Sequence, residues 1–288
     1  MEIAVSEYSY YQYTEQGKLP QYETIDVAHK MGFKTMEFTM LDGETLEEQK
    51  ELAKKIRKHT DELGIEIVAY AVGADLFCEG EAAEKEIERV CGQLDIAKIL
   101  GAKLMRHDVV YKFGKEGKAR SFDLMLPVLA ENTRRITEYG ASIGIKTCTE
   151  NHGYIVQDPD RLEKLFNAVN HENYGLLIDI GNFSCGDLDF ADSVAKLANL
   201  AVHVHAKDVR CFNEPVEGGF PTRGGQFMEG AVVGEGEVPV KRCIRILKRA
   251  GFDGVITIEY EAKEDCMTGV ARSFDNLKKY IDEVENEG

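Results

Sequence analysis

The run Leu63-Gly64-Ile65-Glu66-Ile67-Val68-Ala69-Tyr70 carries the reading of the fold. An amphipathic segment ends at a glycine and a short apolar run begins at once. A helix closes in this way on a left-handed residue and hands the chain to a buried strand. The junction recurs at Met31-Gly32-Phe33, Leu100-Gly101-Ala102, Ile143-Gly144-Ile145 and Ala250-Gly251-Phe252, which marks five αβ units. Between junctions the apolar residues keep helical spacing, as in Ile87, Val90, Cys91, Leu94 and Ala97, or Met125, Leu129, Ile136, Tyr139 and Ile143. The runs that follow are short and apolar, as Val255-Ile256-Thr257-Ile258 is, and suit strands covered on both faces.

Working outward, strands are expected to start near Ile3, Thr35, Ile65, Lys103, Ile145, Tyr174, Ala201 and Val255, with helical segments between them. Eight βα units in 288 residues predict an α/β protein with a (β/α)8 barrel (TIM barrel), one domain spanning 1–288. A doubly wound sheet is the alternative. It usually has fewer strands, and no glycine-rich phosphate fingerprint follows the first strand here. The stretch from Val209 to Glu237 is glycine-rich and poorly periodic, so it reads as a long functional loop.

Composition narrows the partners. Lys plus Arg number 35 against 51 Asp plus Glu, a formal net charge of -16, which disfavours nucleic acid and anionic membrane as partners. The opening Met1-Glu2-Ile3-Ala4-Val5-Ser6 lacks a basic, signal-like region, and no stretch approaches the roughly 18 apolar residues of a spanning helix. A cytoplasmic protein is expected. Seven scattered cysteines without a Cys-x-x-Cys pair read as reduced packing residues.

In a barrel of this kind the chemistry sits where strands finish. The later strands end Thr149-Glu150-Asn151-His152-Gly153, Ile178-Asp179-Ile180-Gly181-Asn182, His205-Ala206-Lys207-Asp208 and Ile258-Glu259-Tyr260-Glu261. A lone strand-end carboxylate is more often a cap or an ion pair, but four polar residues in phase reverse those odds. Glu150, Asp179, His205 and Glu259 form an oxygen-rich set with one nitrogen. It suits octahedral Mn²⁺ or Mg²⁺, with Co²⁺ also compatible, better than structural zinc. Two coordination positions would stay open for substrate or water.

With Gly234-Glu235-Gly236 and Gly251-Phe252-Asp253-Gly254, these motifs resemble the xylose isomerase-like TIM barrels, and the resemblance covers nearly the whole chain. The similar branch holds sugar and sugar-phosphate isomerases and epimerases, including ketose 3-epimerases and inosose-processing enzymes. The resemblance implies one divalent metal, often manganese, on Glu150, Asp179, His205 and Glu259, with Glu150 and Glu259 doubling as catalytic acid and base. It implies an isomerase or epimerase that moves a proton next to the carbonyl of a ketose, inosose or related sugar. The alternative is a lyase or dehydratase on the same scaffold, by inosose dehydration or β-elimination of a 3-oxo-glycoside, including C-glycoside cleavage. Two departures stand out. Asn182 replaces a histidine common after the Asp-x-Gly, and the usual substrate-clamping arginine has only Arg210 and Arg223 as candidates. An apurinic-site endonuclease shares the barrel but needs a multi-zinc cluster and a DNA surface, at odds with seven histidines and this charge.

Further substrate-binding candidates are His152, Glu37, His107 and Lys207. Lys207 and Asp208 are expected to support His205 or to form an ion pair at the rim. His203 is read as facing away from His205 in a packing role, and His29, His59 and His171 as solvated. The tyrosines from Tyr8 to Tyr13 follow the first strand, where rings stack on sugars or make interfaces; Phe212, Phe220 and Phe227 offer either an interface or a cover for the pocket. A homo-oligomer and a small carbohydrate substrate complete the expectation.

Overall fold

The computed structural model describes residues 1–111 and 121–287. In chain order the strands are β1 (Glu2–Ser6), β2 (Thr35–Thr39), β3 (Glu66–Val72), β4 (Leu104–His107), β5 (Lys146–Glu150), β6 (Tyr174–Asp179), β7 (Ala201–Ala206), β8 (Asp208–Phe212), β9 (Phe220–Pro221), β10 (Phe227–Ala231) and β11 (Val255–Ile258). Eight of them close into a parallel barrel in the order β1-β11-β7-β6-β5-β4-β3-β2. Closure is made at β1, where Val5 pairs with Ile258 on one side and Ser6 with Glu37 on the other. A ring leaves no edge, so the doubly wound alternative is set aside. Each barrel strand starts within one residue of its expected position.

The longer helices are α1 (Leu46–Leu63), α2 (Gly80–Leu100), α3 (Phe122–Ile143), α4 (Pro159–Val169), α5 (Val240–Arg249) and α6 (Cys266–Glu285). They form where the apolar spacing demands. α1 opens on a capping box between Thr45 and Glu48, buries Ala53, Ile56 and Thr60, and closes at Gly64 with φ 67°. All five junction glycines have positive φ, as the sequence pattern requires. Strands and helices meet in one continuous apolar core that includes Phe38, Tyr70, Leu94, Ile178 and Val204.

A smaller cluster of Ala69, Leu104, Cys148 and Leu177 sits on successive strands β3 to β6. Side chains two apart on a strand share a face. Cys148 therefore points the way Glu150 does, Leu177 the way Asp179 does, and Leu104 the way Arg106 does. This apolar plug is the floor beneath the polar residues at the strand ends.

The stretch expected to be an irregular loop carries a sheet of its own. β8, β10 and β9 form a three-stranded antiparallel sheet, with Met228 opposite Cys211 and Phe220. Asp208 fastens it to the end of β7. Its Oδ2 accepts the N–H groups of Gly234 and Gly236 at 2.8 and 2.9 Å, and its Oδ1 accepts those of Val209 and Val238 at 2.9 and 3.0 Å. A side chain at Gly236 would collide with this carboxylate. The expected support of His205 by Asp208 is thus corrected: its oxygens are committed to the loop backbone.

Candidate metal and acid–base site

Glu150, Asp179, His205 and Glu259 arrive at one mouth from β5, β6, β7 and the residue after β11. One ligand atom from each lies within 4.8 Å of all the others. The first three are almost fully buried; Glu259 keeps 14% side-chain exposure. Asp179 Oδ1 accepts the N–H groups of Gly181 and Asn182, and Asn151 braces the Asp179 backbone with two hydrogen bonds of 2.8 Å. Among the described residues, Asp179 Oδ2 and His205 Nδ1 are buried without a hydrogen-bond partner. Glu259 Oε2 stands 2.6 Å from Lys207 Nζ as an ion pair, without hydrogen-bond geometry. Unpartnered acceptors this deep are costly unless something electropositive meets them. The donor set, three carboxylates and one imidazole, fits a divalent cation.

Charge partners from other strands hold the set in place. Arg106 Nη2 lies 2.5 Å from Glu150 Oε2 and 3.0 Å from Asp108 Oδ1, and Asn182 Nδ2 donates to Glu150 Oε1 at 3.0 Å. Burial alone would raise the Glu150 pKa, but Arg106 and His205 bring it below the usual carboxylate value. Glu259 is likewise pushed up by burial and brought well down by Lys207 and His205. Asp179 goes the other way. Burial, with Glu259 and Glu150 nearby, outweighs Lys207 and raises it to about 7.

Beneath the mouth, Glu37 of β2 is fully buried. His205 Nε2 stands 3.0 Å from its carboxylate and His203 Nε2 3.3 Å, while His203 also reaches Thr257 Oγ1 at 2.8 Å. Burial opposes ionisation of Glu37, yet the two imidazoles hold its pKa at about 2. With Nε2 engaged by Glu37, Nδ1 is the nitrogen that His205 turns toward the three carboxylates. A carboxylate behind a histidine fixes the ring's orientation and makes it a better ligand. The reading of His203 as facing away is corrected here. Residues 203 and 205 are two apart on one strand, so both project into the barrel.

Other expected residues divide. His152 lines the mouth, its Nδ1 2.9 Å from Asp108 Oδ1, and the carboxylate raises its pKa against the effect of burial. Lys207 is buried beside Glu259 and 3.0 Å from Glu261, and donates to Asn182 Oδ1 at 3.1 Å. Glu37 supports His205 from below and is not part of the pocket wall. His107 also stays out of that wall. It is buried beside the Asp108 carbonyl, and burial lowers its pKa to about 4. Arg223 forms a two-pronged pair with Asp158, and Arg210 donates to the Glu235 carbonyl. Neither arginine lines the pocket. His59 is packed against Tyr22 and lies 3.2 Å from Asp26, so it is not simply solvated.

Arg106 and Asp108 were missed. Counting by twos from the apolar Leu104 points Arg106 inward and His107 outward, and that signal was available. The mouth itself is a cavity of about 210 Å³, with Tyr8, Tyr111, His152, Lys207, Phe220 and Glu261 in its wall. Phe220 of the loop sheet folds over the pocket, whereas Tyr10 belongs to the core. No helix among the described residues is long and apolar enough to cross a membrane.

The closed parallel barrel with polar residues at its strand ends defines a (β/α)8 fold, and comparison with known proteins assigns the family. Residues 25–285 match the model of the xylose isomerase-like TIM barrel, and the chain belongs to that family. It is 25% identical over 165 residues to an inosose dehydratase of Clostridium perfringens, covering 55% of this chain and 54% of that protein. The chain spans about half the length of the curated relatives it matches. Among solved structures, a D-psicose 3-epimerase with D-tagatose from Clostridium cellulolyticum H10 superposes with a TM-score of 0.76 at 12% identity, covering 98% of this chain and 99% of that one. The IolI protein, solved with a bound zinc atom, superposes at 0.74 with 16% identity and covers 99% and 98% of the two chains.

Proposed function

We propose that this chain is a divalent-metal-dependent sugar isomerase or epimerase acting next to the carbonyl of a ketose, inosose or related sugar. The observation that carries the reading is the convergence of Glu150, Asp179, His205 and Glu259, with Asp179 Oδ2 and His205 Nδ1 buried among them without hydrogen-bond partners. These four would hold the ion, with Mn²⁺ expected and Mg²⁺ or Co²⁺ compatible. When bound, the cation polarises the substrate carbonyl and makes the neighbouring C–H more acidic.

Glu150 and Glu259 stand at the two ends of the four-residue arc and are the acid–base pair. Arg106 and Lys207 keep them ionised at neutral pH, ready to take a proton. Return of a proton from the opposite wall inverts the carbon, and return to the adjacent carbon shifts the carbonyl. His152, oriented by Asp108, is placed to hold substrate hydroxyls. Lys207 fixes Glu259 and shares the pocket wall with Glu261.

A second reading, dehydration or β-elimination, draws on one feature. The buried Lys207 ammonium stands in the pocket wall, where it would stabilise a departing oxygen. The inosose dehydratases among the sequence relatives favour the same chemistry. Incubation in D₂O with ketohexoses, inososes and 3-oxo-glucosides, read by NMR after removal of protein and metal, separates the two. Deuterium beside the carbonyl with an accumulating epimer or isomer supports the first reading. Loss of water or of an aglycone moves the assignment to lyase. No exchange with any compound by metal-loaded protein would defeat both.

A further inference from the structure

The catalytic mouth shares a wall with a second cavity. The ends of β1 and β2 and the chain that follows them enclose about 390 Å³, and Tyr8 belongs to the lining of both spaces. The catalytic cavity of about 210 Å³ falls below the roughly 300–1,000 Å³ of pockets for larger ligands, so it suits one small ring. Both spaces lie at the carboxyl-terminal face of the barrel, the second one on the side where β1 and β2 end.

Three observations say what the second cavity would take. Glu7 is 4% exposed and lines it. Its Oε2 accepts hydrogen bonds from Thr39 at 2.8 Å and Gln21 at 3.2 Å, which orient the carboxyl group. A carboxyl oxygen held in this way is a ready acceptor for a hydroxyl. Tyr8 and Tyr11 stack at 5.5 Å between ring centroids and 20° between planes, giving one side of the cavity an aromatic surface suited to the C–H face of a ring. The lining also includes Glu15 and Asp42 and, among the described residues, no lysine, arginine or histidine. Anions are disfavoured there by charge and by desolvation.

We infer that this cavity is a second subsite for an uncharged, hydroxyl-rich ring joined to the ring that reacts, so that the physiological substrate is a glycoside or disaccharide and not a free monosaccharide. The inference rests on the carbohydrate reading of the catalytic pocket. Tyr8 forms the partition between the reacting ring and its substituent, and Glu7 fixes the substituent by its hydroxyls. A phosphate or uronic acid in the same place would meet Glu7, Glu15 and Asp42 without a counter-charge.

Equilibrium binding tests this without any turnover. Glucose, cellobiose and the acidic disaccharide cellobiuronic acid are titrated into the metal-loaded protein and followed by saturation-transfer NMR and calorimetry. Cellobiose is expected to bind roughly ten-fold more tightly than glucose, the gain of one well-placed hydrogen bond. Cellobiuronic acid should lose that gain. Two variants localise it. Met40→Trp fills the cavity from an exposed position, and Glu7→Gln removes the carboxylate at constant size. Both should cancel the advantage of cellobiose and leave the affinity for glucose unchanged, with unchanged circular dichroism as the control for folding. Equal affinity for glucose and cellobiose in the wild type, or an advantage that survives Met40→Trp, overturns the subsite and leaves the proposed reaction intact. If neither neutral sugar binds while metal does, the subsite falls, and the reading of the catalytic pocket is decided separately by the exchange experiment in D₂O.

Discussion

The two halves of the barrel mouth contribute different things. The later half, from β5 through β11, supplies the four residues that converge on one point: Glu150, Asp179, His205 and Glu259. The earlier half, β1 through β4, supplies none of them. It provides Glu37 behind His205, Arg106 against Glu150, and Tyr8 in the pocket wall. One half presents ligand atoms, and the other sets their charge and orientation. A site of this kind needs both, because a cluster of carboxylates without counter-charges would take up protons before it held a cation.

The largest effect should come from the presenting half. Glu150→Gln is expected to lower proton exchange by roughly 10²–10⁴-fold, the usual contribution of a positioned acid or base. NMR exchange rates measured at saturating metal would show it, and a loss of less than ten-fold would mean that Glu259 works alone. Next comes the supporting half. Glu37→Gln should weaken metal affinity by about 10–100-fold, as loss of a carboxylate behind a metal-bound histidine does elsewhere. Competition against a chelator measures this directly. Unchanged affinity would show that the barrel interior orients His205 without Glu37.

The third prediction concerns pH. Asp179 has its pKa raised to about 7, so near neutrality a proton occupies a ligand oxygen for much of the time. A cation must displace it, and His205, whose pKa the surrounding carboxylates raise despite burial, must also shed a proton. Affinity should therefore fall as pH is lowered through 7, by up to about ten-fold per unit for each proton displaced, and metal binding should release protons. The same raised pKa means that, without metal, Asp179 favours folding more at low pH. Its stabilising contribution declines as pH rises from its unfolded value toward 7. Calorimetric titration in buffers of different ionisation enthalpy, on either side of pH 7, reads the released protons; a flat profile would remove Asp179 from the ligand set. The smallest effect should lie away from the mouth. Thr45→Ala breaks the capping box of α1 and should cost about 1 kcal/mol of stability, seen in denaturant unfolding, with metal affinity unchanged.

Much of this is legible in the amino-acid sequence. Helix ends were marked by glycines that do adopt positive φ, and barrel strands started where the apolar runs began. The four ligand candidates were legible because each stands at the end of its own strand, and a barrel brings strand ends to one place. The choice of His107 over Arg106, and the outward reading of His203, failed on side-chain direction. Residues two apart on a strand share a face, so Leu104 decides the first case and His205 the second. The sheet made by β8, β9 and β10 could not be read from periodicity, since it consists of short strands between glycines and depends on Asp208 collecting four backbone N–H groups. Arg210 and Arg223 lie near the histidine strand in sequence, which does not determine where a flexible side chain finds its partner.

By itself, then, the sequence determined the alternation of strands and helices, the points where each helix stops, and the residues carried to the barrel mouth. These depend on interactions within a few residues: the spacing of apolar side chains, and the ease with which glycine turns left-handed. Only the tertiary structure decided which charges pair. Glu37 and His205 are 168 positions apart and meet because ring closure sets the register of β1 against its two neighbours. Arg106 meets Glu150 because β4 and β5 lie side by side with Arg106 opposite Cys148. Such pairings rest on long-range register and on burial, which removes the water that would otherwise screen every charge equally.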